Sequence, residues 1–190
     1  VLASDHEIKN NEIFINAINS GLQYALEDKL VTFGIIPNSP ETGFGYIEAS
    51  KPLSEKNFKG QKIERFLEKP DINKAKELIQ NKNFSWNSGI FLFRAKTLLN
   101  EVKKFSPETL KNCEESLKES AKDLDFQRLN KNAFEKCPND SFDISIMEKT
   151  NKGIVIPLNC GWSDIGSWKA IWENSKKDNS GNYVQGTVIT

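Results

Sequence analysis

The stretch GIVIPLNCGWSDIGSW, residues 153–168, runs from β-branched and apolar residues into a turn rich in Gly and Ser. GIVIPLN has the length and composition of a buried strand, whereas SWKAIWEN, which begins at Ser167, has the apolar spacing of a short amphipathic helix. Strand, polar turn and helix in that order predict an α/β chain, in which ligands bind at the carboxyl ends of strands. Asp164 sits in this turn between Trp162 and Trp168 and between Gly161 and Gly166. Indole side chains prefer burial, and a carboxylate beside them is costly unless a cation, a ligand or a backbone N–H compensates it. Two readings stand side by side: Ser163, Asp164 and Ser167 cap the helix, or Asp164 binds a metal or ligand.

The same order of elements extends upstream. VLASDHEI reads as a chain entered partway through a strand. Residues 11–26 follow with Phe14, Ala17, Ile18, Leu22, Ala25 and Leu26 at helical spacing. LVTFGIIP is a buried strand stopped by Pro37, NSPETGFGY a loop dense in Gly and Pro, and YIEAS a short strand. KIERFLEKP is a strand closed by Pro70, after which Asp71 caps the helical repeat of DINKAKELIQ. The near-continuous apolar run of WNSGIFLFRA predicts a central strand covered on both faces, followed by a helix over KTLLNEVKKF. Ser106 and Pro107 start a further helix through SPETLKNCEESLKESAKDL. The expected sheet is therefore largely parallel, in a domain over residues 1–177. DNSGNYVQGTVIT, with its Gly, Asn and β-branched residues, reads as the start of a second, truncated β unit over residues 178–190.

Composition narrows the classes of function. The 190 residues carry 26 Lys and Arg against 26 Asp and Glu, with no basic stripe, which argues against a nucleic-acid or membrane surface. No apolar run reaches the ~20 residues of a membrane span. Cys113, Cys137 and Cys160 form no CxxC pair, so neither a disulfide framework nor a cysteine zinc site is indicated, and a reducing cytoplasm fits best. The expected partner is a small molecule.

Several strand ends carry groups suited to chemistry. Asp5 and Asp164 each follow a strand-like run; two carboxylates converging on one point repel unless a cation lies between them, and oxygen ligands without a His or Cys cluster favour Mg²⁺. Separate helix caps that never meet are the alternative. At EKP, residues 68–70, proline bends the chain, so that Lys69 could turn toward a phosphate while Glu68 accepts sugar hydroxyls. Asn87 in WNSG offers a bidentate hydroxyl partner, with Gly89 allowing close backbone approach. Gly43 and Gly45 in ETGFGYI bring backbone groups near a ligand, as a hairpin turn would too. Neither GxxxxGK[ST] nor GxGxxG occurs. His6, the single histidine, reads as structural. Phe91, Phe93 and Trp172 read as core, while Trp86, Trp162 and Trp168 could border a pocket but read first as packing. SDH, EKP, GWSD, NSPETGFG and WNSG are expected to share one pocket.

Read together, LASDHEI, LVTFGIIPNSPETGFGYIE, RFLEKPD, WNSGIFLF, FDISIMEKT, GWSDIGSW and DNSGNYVQG resemble, in order and across essentially the whole chain, the bacterial mannose-1-phosphate guanylyltransferases, the type also found fused to a phosphomannose isomerase domain. The resemblance implies a nucleotide-diphospho-sugar transferase fold, Rossmann-like with flanking helices, and attack of mannose 1-phosphate on the α-phosphorus of GTP to give GDP-mannose and diphosphate. It implies that Asp5 and Asp164 hold Mg²⁺, that Glu68 and Asn87 bind mannose hydroxyls, that Lys69 lies near the sugar phosphate and that Gly45 contacts the sugar through its backbone. Phe44 stands where the family commonly has Tyr. The family's Gly-rich triphosphate loop lies upstream of residue 1, so an N-terminally truncated domain is expected. A non-catalytic sugar-phosphate binding fragment and a glucose-1-phosphate-type nucleotidyltransferase are the rival readings; a zinc isomerase, which needs several histidines, is disfavoured. A β unit at the end would suit a homodimer formed through it.

Overall fold

A computed structural model describes residues 1–55, 57–118, 120–184 and 186–188. Helix α1, Asn11–Leu26, starts where Asn10 Oδ1 accepts from Ile13 N at 3.0 Å, and its buried face is made of the small residues Ala17, Gly21 and Ala25. Gly21 lets this helix lie close to the sheet: a methyl group there would come within 3.1 Å of Leu92 and 3.2 Å of Ile156. Strands β1 (Leu30–Ile35), β2 (Tyr46–Ala49) and β3 (Gln61–Leu67) follow. Helix α2, Ile72–Leu78, is capped by Asp71, whose side chain accepts from Asn73 N and Lys74 N. Strand β4, Phe84–Leu92, leads into helices α3 (Ala95–Phe105) and α4 (Pro107–Lys118).

The next helix was expected to run to Leu124, but it ends at Lys118, and residues 121–128 fold into a hairpin of β5 (Ala121–Asp123) and β6 (Phe126–Arg128). Leu124 at its turn has φ 53°, a left-handed conformation incompatible with helix, and Arg128 closes the hairpin on Asp123 at 2.9 Å. A short helix α5, Lys131–Phe134, a π-helical turn at Asp143–Met147, strand β7 (Gly153–Pro157) and helix α6 (Trp168–Asn174) complete the described elements.

The strands join in the order β1-β4-β2-β3-β7, and β7 returns to pair with β1, closing the ring. Among the described residues its β1–β7 ladder is parallel, and the β1–β4, β4–β2, β2–β3 and β3–β7 ladders are antiparallel. The expected largely parallel sheet is therefore corrected. An apolar run reports burial on both faces and says nothing of strand direction; β4 is covered on both faces yet lies antiparallel between β1 and β2.

One face of β1 joins Leu30 to Ile47, Phe66, Phe91, Ile146 and Val155, and the other joins Val31 and Phe33 to Ala17, Ile90, Ile156 and Leu158 beneath α1. The opening residues do not form a strand. Val1 instead exchanges two backbone hydrogen bonds with Phe91, at 2.8 and 3.1 Å. Trp172, expected in the core, is 47% exposed and donates through Nε1 to Gly181 O. In residues 178–184, Asp178 Oδ1 accepts from the N–H groups of Ser180 and Asn182. Residues 185, 189 and 190 of the expected second β unit lie outside the described residues.

Candidate functional site

Strand β3 ends at Leu67, and the two residues that follow turn sharply. Lys69 has φ 45°, so instead of pointing away from Glu68 as on an extended strand, its Nζ lies 3.2 Å from Glu68 Oε1. Across from them, a methyl group on Gly45 would sit 2.7 Å from Glu68 Oε2, so that only glycine admits the carboxylate there. Gly45 O in turn accepts from Asn87 N at 2.7 Å. Asn87 lies where the β1–β4 register shifts, between Thr32 and Gly34, and the irregularity is completed by Gly89 at φ 69°. Gly45, the consecutive Glu68 and Lys69, and Asn87, from three separate stretches of sequence, thus meet at one point.

A fifth residue joins them that the sequence reading passed over. Asp143, first residue of the π-helical turn, accepts from Asn87 Nδ2 through Oδ1 at 3.1 Å. Burial pushes its carboxyl above the usual value, and the neighbouring Glu68 pushes it further, while the Asn87 hydrogen bond and Lys69 act the other way. The available signal was an acid set among Phe142, Ile144, Ile146 and Met147, since a carboxylate on an apolar turn requires a partner. Single π-helical turns frequently mark functional positions.

Asp5 and Asp164 are carried by neighbouring segments. Glu7 and Ser163 form an antiparallel bridge with N–H···O distances of 2.8 and 3.1 Å, and Cys160 O accepts from Lys9 N and Asn10 N. Asp5 and Asp164 lie within two residues of that bridge, one on each segment and both at the same end of it. Neither caps a helix: Asn10 caps α1, and Ser167 caps α6 through a 3.1 Å bond from Ala170 N. Asp164 closes a tight turn instead, with Oδ1 accepting from Gly166 N at 3.1 Å. The described residues contain no group of three or more His, Cys, Asp or Glu side chains that could hold a metal ion.

A cavity of about 630 Å³ lies beside Asp164, between the 38–44 loop, Trp86, Trp162 and α6. His6, Trp162, Phe44 and Trp86 stand edge to face in a chain with ring centroids 5.3, 5.5 and 5.2 Å apart. His6 Nδ1 accepts from Trp162 Nε1 at 3.1 Å, in keeping with a structural histidine. Trp86 and Trp162 border the cavity, whereas Trp168 is 87% exposed. The polar motifs expected to share one pocket form two adjoining clusters, one around Asp143 and one around Asp164. Two pairs of consecutive residues tie them together, because Phe44 and Trp86 border the cavity while Gly45 and Asn87 belong to the polar cluster.

The class follows from the whole chain: residues 1–181 match the nucleotidyl transferase family, to which this chain belongs. More particularly, its relatives include mannose-1-phosphate guanylyltransferase of Salmonella muenchen, 44% identical over 100% of this chain and 39% of the relative, and a putative mannose-1-phosphate guanylyltransferase of Vibrio cholerae, 44% identical over 100% of this chain and 40% of the relative. The chain thus spans roughly two fifths of the length of these relatives. Among solved structures, a Helicobacter pylori protein described as mannose-6-phosphate isomerase superposes with TM-score 0.75 at 36% identity, covering 86% of this chain and 62% of the other. A Thermus thermophilus protein described as mannose-1-phosphate geranyltransferase superposes with TM-score 0.76 at 28% identity, covering 91% and 48%.

Proposed function

We propose that this chain carries the sugar-phosphate side of a mannose-1-phosphate guanylyltransferase site. In the reaction, a phosphate oxygen of mannose 1-phosphate attacks the α-phosphorus of GTP; the bond to the β-phosphate breaks, diphosphate leaves and GDP-mannose forms. The observation that carries this reading is the meeting of Gly45, Glu68, Lys69 and Asn87 beside the cavity that Asp164 borders. Glu68 accepts from sugar hydroxyls, and Asn87 offers both a donor and an acceptor to them. Lys69, a cation held at the strand end, balances the sugar phosphate. Gly45 lets the ligand approach the backbone. No acid, base or covalent intermediate is required, because the nucleophile is already an anion and the rate comes from alignment and charge.

The donor set also suits Mg²⁺, which binds through one or two carboxylates and keeps its other positions for water and substrate phosphate. Asp5 and Asp164 would hold the ion, and when bound it would neutralise charge gathering on the α-phosphate. Their segments lie side by side, and the turn at Asp164 occupies Oδ1 with the Gly166 N–H. A zinc isomerase reading finds little support, because the sole histidine has its Nδ1 engaged by Trp162.

Calorimetric titration of mannose 1-phosphate and GDP-mannose, with and without Mg²⁺, tests the proposal against Asp164→Asn. Asparagine keeps an acceptor for the Gly166 N–H and loses the charge, so the turn is retained while Mg²⁺-dependent binding disappears. A folded chain that binds neither ligand, or an Asp164→Asn protein with unaltered Mg²⁺ dependence, would refute it.

A further inference from the structure

Asn87 is gripped at both ends of its amide. Thr32 Oγ1 donates to Oδ1 at 2.9 Å, and Nδ2 donates to Asp143 Oδ1 at 3.1 Å. The two grips differ in kind. A hydroxyl donates and accepts, and Thr32 Oγ1 also lies 3.0 Å from Ile90 O, so with the amide reversed it would donate to Ile90 O and accept from Asn87 Nδ2. Thr32 therefore tolerates either orientation. An ionised Asp143 only accepts, and a reversed amide would set Asn87 Oδ1 against its carboxylate. Asn87 is 9% exposed, so an amide oxygen reversed toward Asp143 would find little water to turn to.

We propose that Asp143 is a positioning residue for Asn87: as a half-buried acceptor it fixes the polarity of the Asn87 amide, and so decides which hydrogen-bonding atoms Asn87 presents to a bound sugar hydroxyl. The charged groups facing Asp143 are Glu68 and Lys69 at the end of β3, and Glu148 Oε1 accepts from Glu68 N at 3.4 Å from the same turn of chain. Lys69 pairs with Glu68 at 3.2 Å, which moderates the repulsion between Glu68 and Asp143. The consequence for ligand binding rests on the proposed sugar-phosphate site; the orientation of Asn87 does not.

The test has two arms, both on this chain. In the ligand-free arm, the Asn87 side-chain amide is assigned by ¹⁵N NMR from its loss in Asn87→Ala and followed in Asp143→Asn and Asp143→Ala. Its resonances are expected to shift, and its protons to exchange faster in Asp143→Ala; an unmoved Asn87 amide would overturn the positioning role. In the binding arm, mannose 1-phosphate affinity is measured for Asp143→Asn, Asn87→Ala and the double variant. Each single change is expected to weaken binding by about tenfold, as for loss of one hydrogen bond to a charged or buried partner, and the double variant no further. Losses that multiply would overturn it, as would a weakening in Asp143→Asn that tracks a fall in thermal midpoint alone. If the wild-type chain binds no mannose 1-phosphate, the proposed function falls while the ligand-free arm still decides the role of Asp143.

Discussion

Gly45→Ala should separate binding from stability at this site. The added methyl group would stand 2.7 Å from Glu68 Oε2, well inside van der Waals contact, and 3.3 and 3.4 Å from Cε1 and Cζ of Phe66. Phe66 is 6% exposed and gives only a few tenths of an ångström, so the movable group is the tip of Glu68. Gly45 is not among the glycines held at positive φ, so alanine itself strains no backbone there. The carboxylate must swing aside, away from Lys69 and from the hydroxyls it would bind. Since the Glu68–Lys69 pair is largely exposed on the lysine side, its loss costs little stability, under about 1 kcal/mol. Loss of a charged hydrogen bond to a ligand is worth about 1.5–3 kcal/mol, or roughly ten- to a hundredfold in affinity for mannose 1-phosphate. Thermal denaturation beside calorimetric titration reads both quantities. In a Glu68→Gln background the alanine should add little further loss, because its target has already lost its charge. An unaltered affinity in Gly45→Ala, or an equally large extra loss in the Glu68→Gln background, would refute the placement of Glu68 against Gly45.

Two further substitutions probe the scaffold. Gly34→Ala drives a methyl group into the Ser85 side chain and to 2.7 Å from Val155 Cγ2 at the centre of the ring of strands, and should lower stability by about 1–3 kcal/mol in chemical denaturation. Glu101, 4% exposed, accepts from Thr150 Oγ1 at 2.6 Å and pairs with Lys152 at 3.1 Å; burial pushes its carboxyl up, but these partners outweigh burial and hold it below its ordinary value of 4.5. A carboxyl lower in the folded than in the unfolded state contributes fully above the ordinary value and progressively less as pH falls through the lowered one. Glu101→Gln should therefore destabilise at neutral pH, by roughly 1–3 kcal/mol as for loss of a hydrogen bond to a charged group, with the gap from wild type narrowing below about pH 4.5 in urea titrations.

What the sequence discloses of this fold divides along a physical line. Helix α1, strands β1 and β4 and the cap at Asp71 are legible because they depend on local spacing, burial and turn chemistry. Strand direction is not local: the same apolar run serves a strand that is buried on both faces whichever way its neighbours point, so the antiparallel ladders of β4 had no signal in WNSGIFLF. The hairpin at 121–128 lay hidden for a related reason, since its exposed strands carry no alternation and ESAKDL continues the helical spacing of α4. Among the candidate site residues, those in distinctive motifs were read, but motifs cannot disclose which residues hold them in place. Asn87 was visible as a hydroxyl partner in WNSG; Asp143, which orients it, sits 56 residues away on a turn whose other side chains are mostly apolar. A ligand-contacting residue carries its chemistry in its own side chain. A residue that positions another acts through a contact that exists only once the chain has folded, and that difference decides which half of a site can be read before the structure is known.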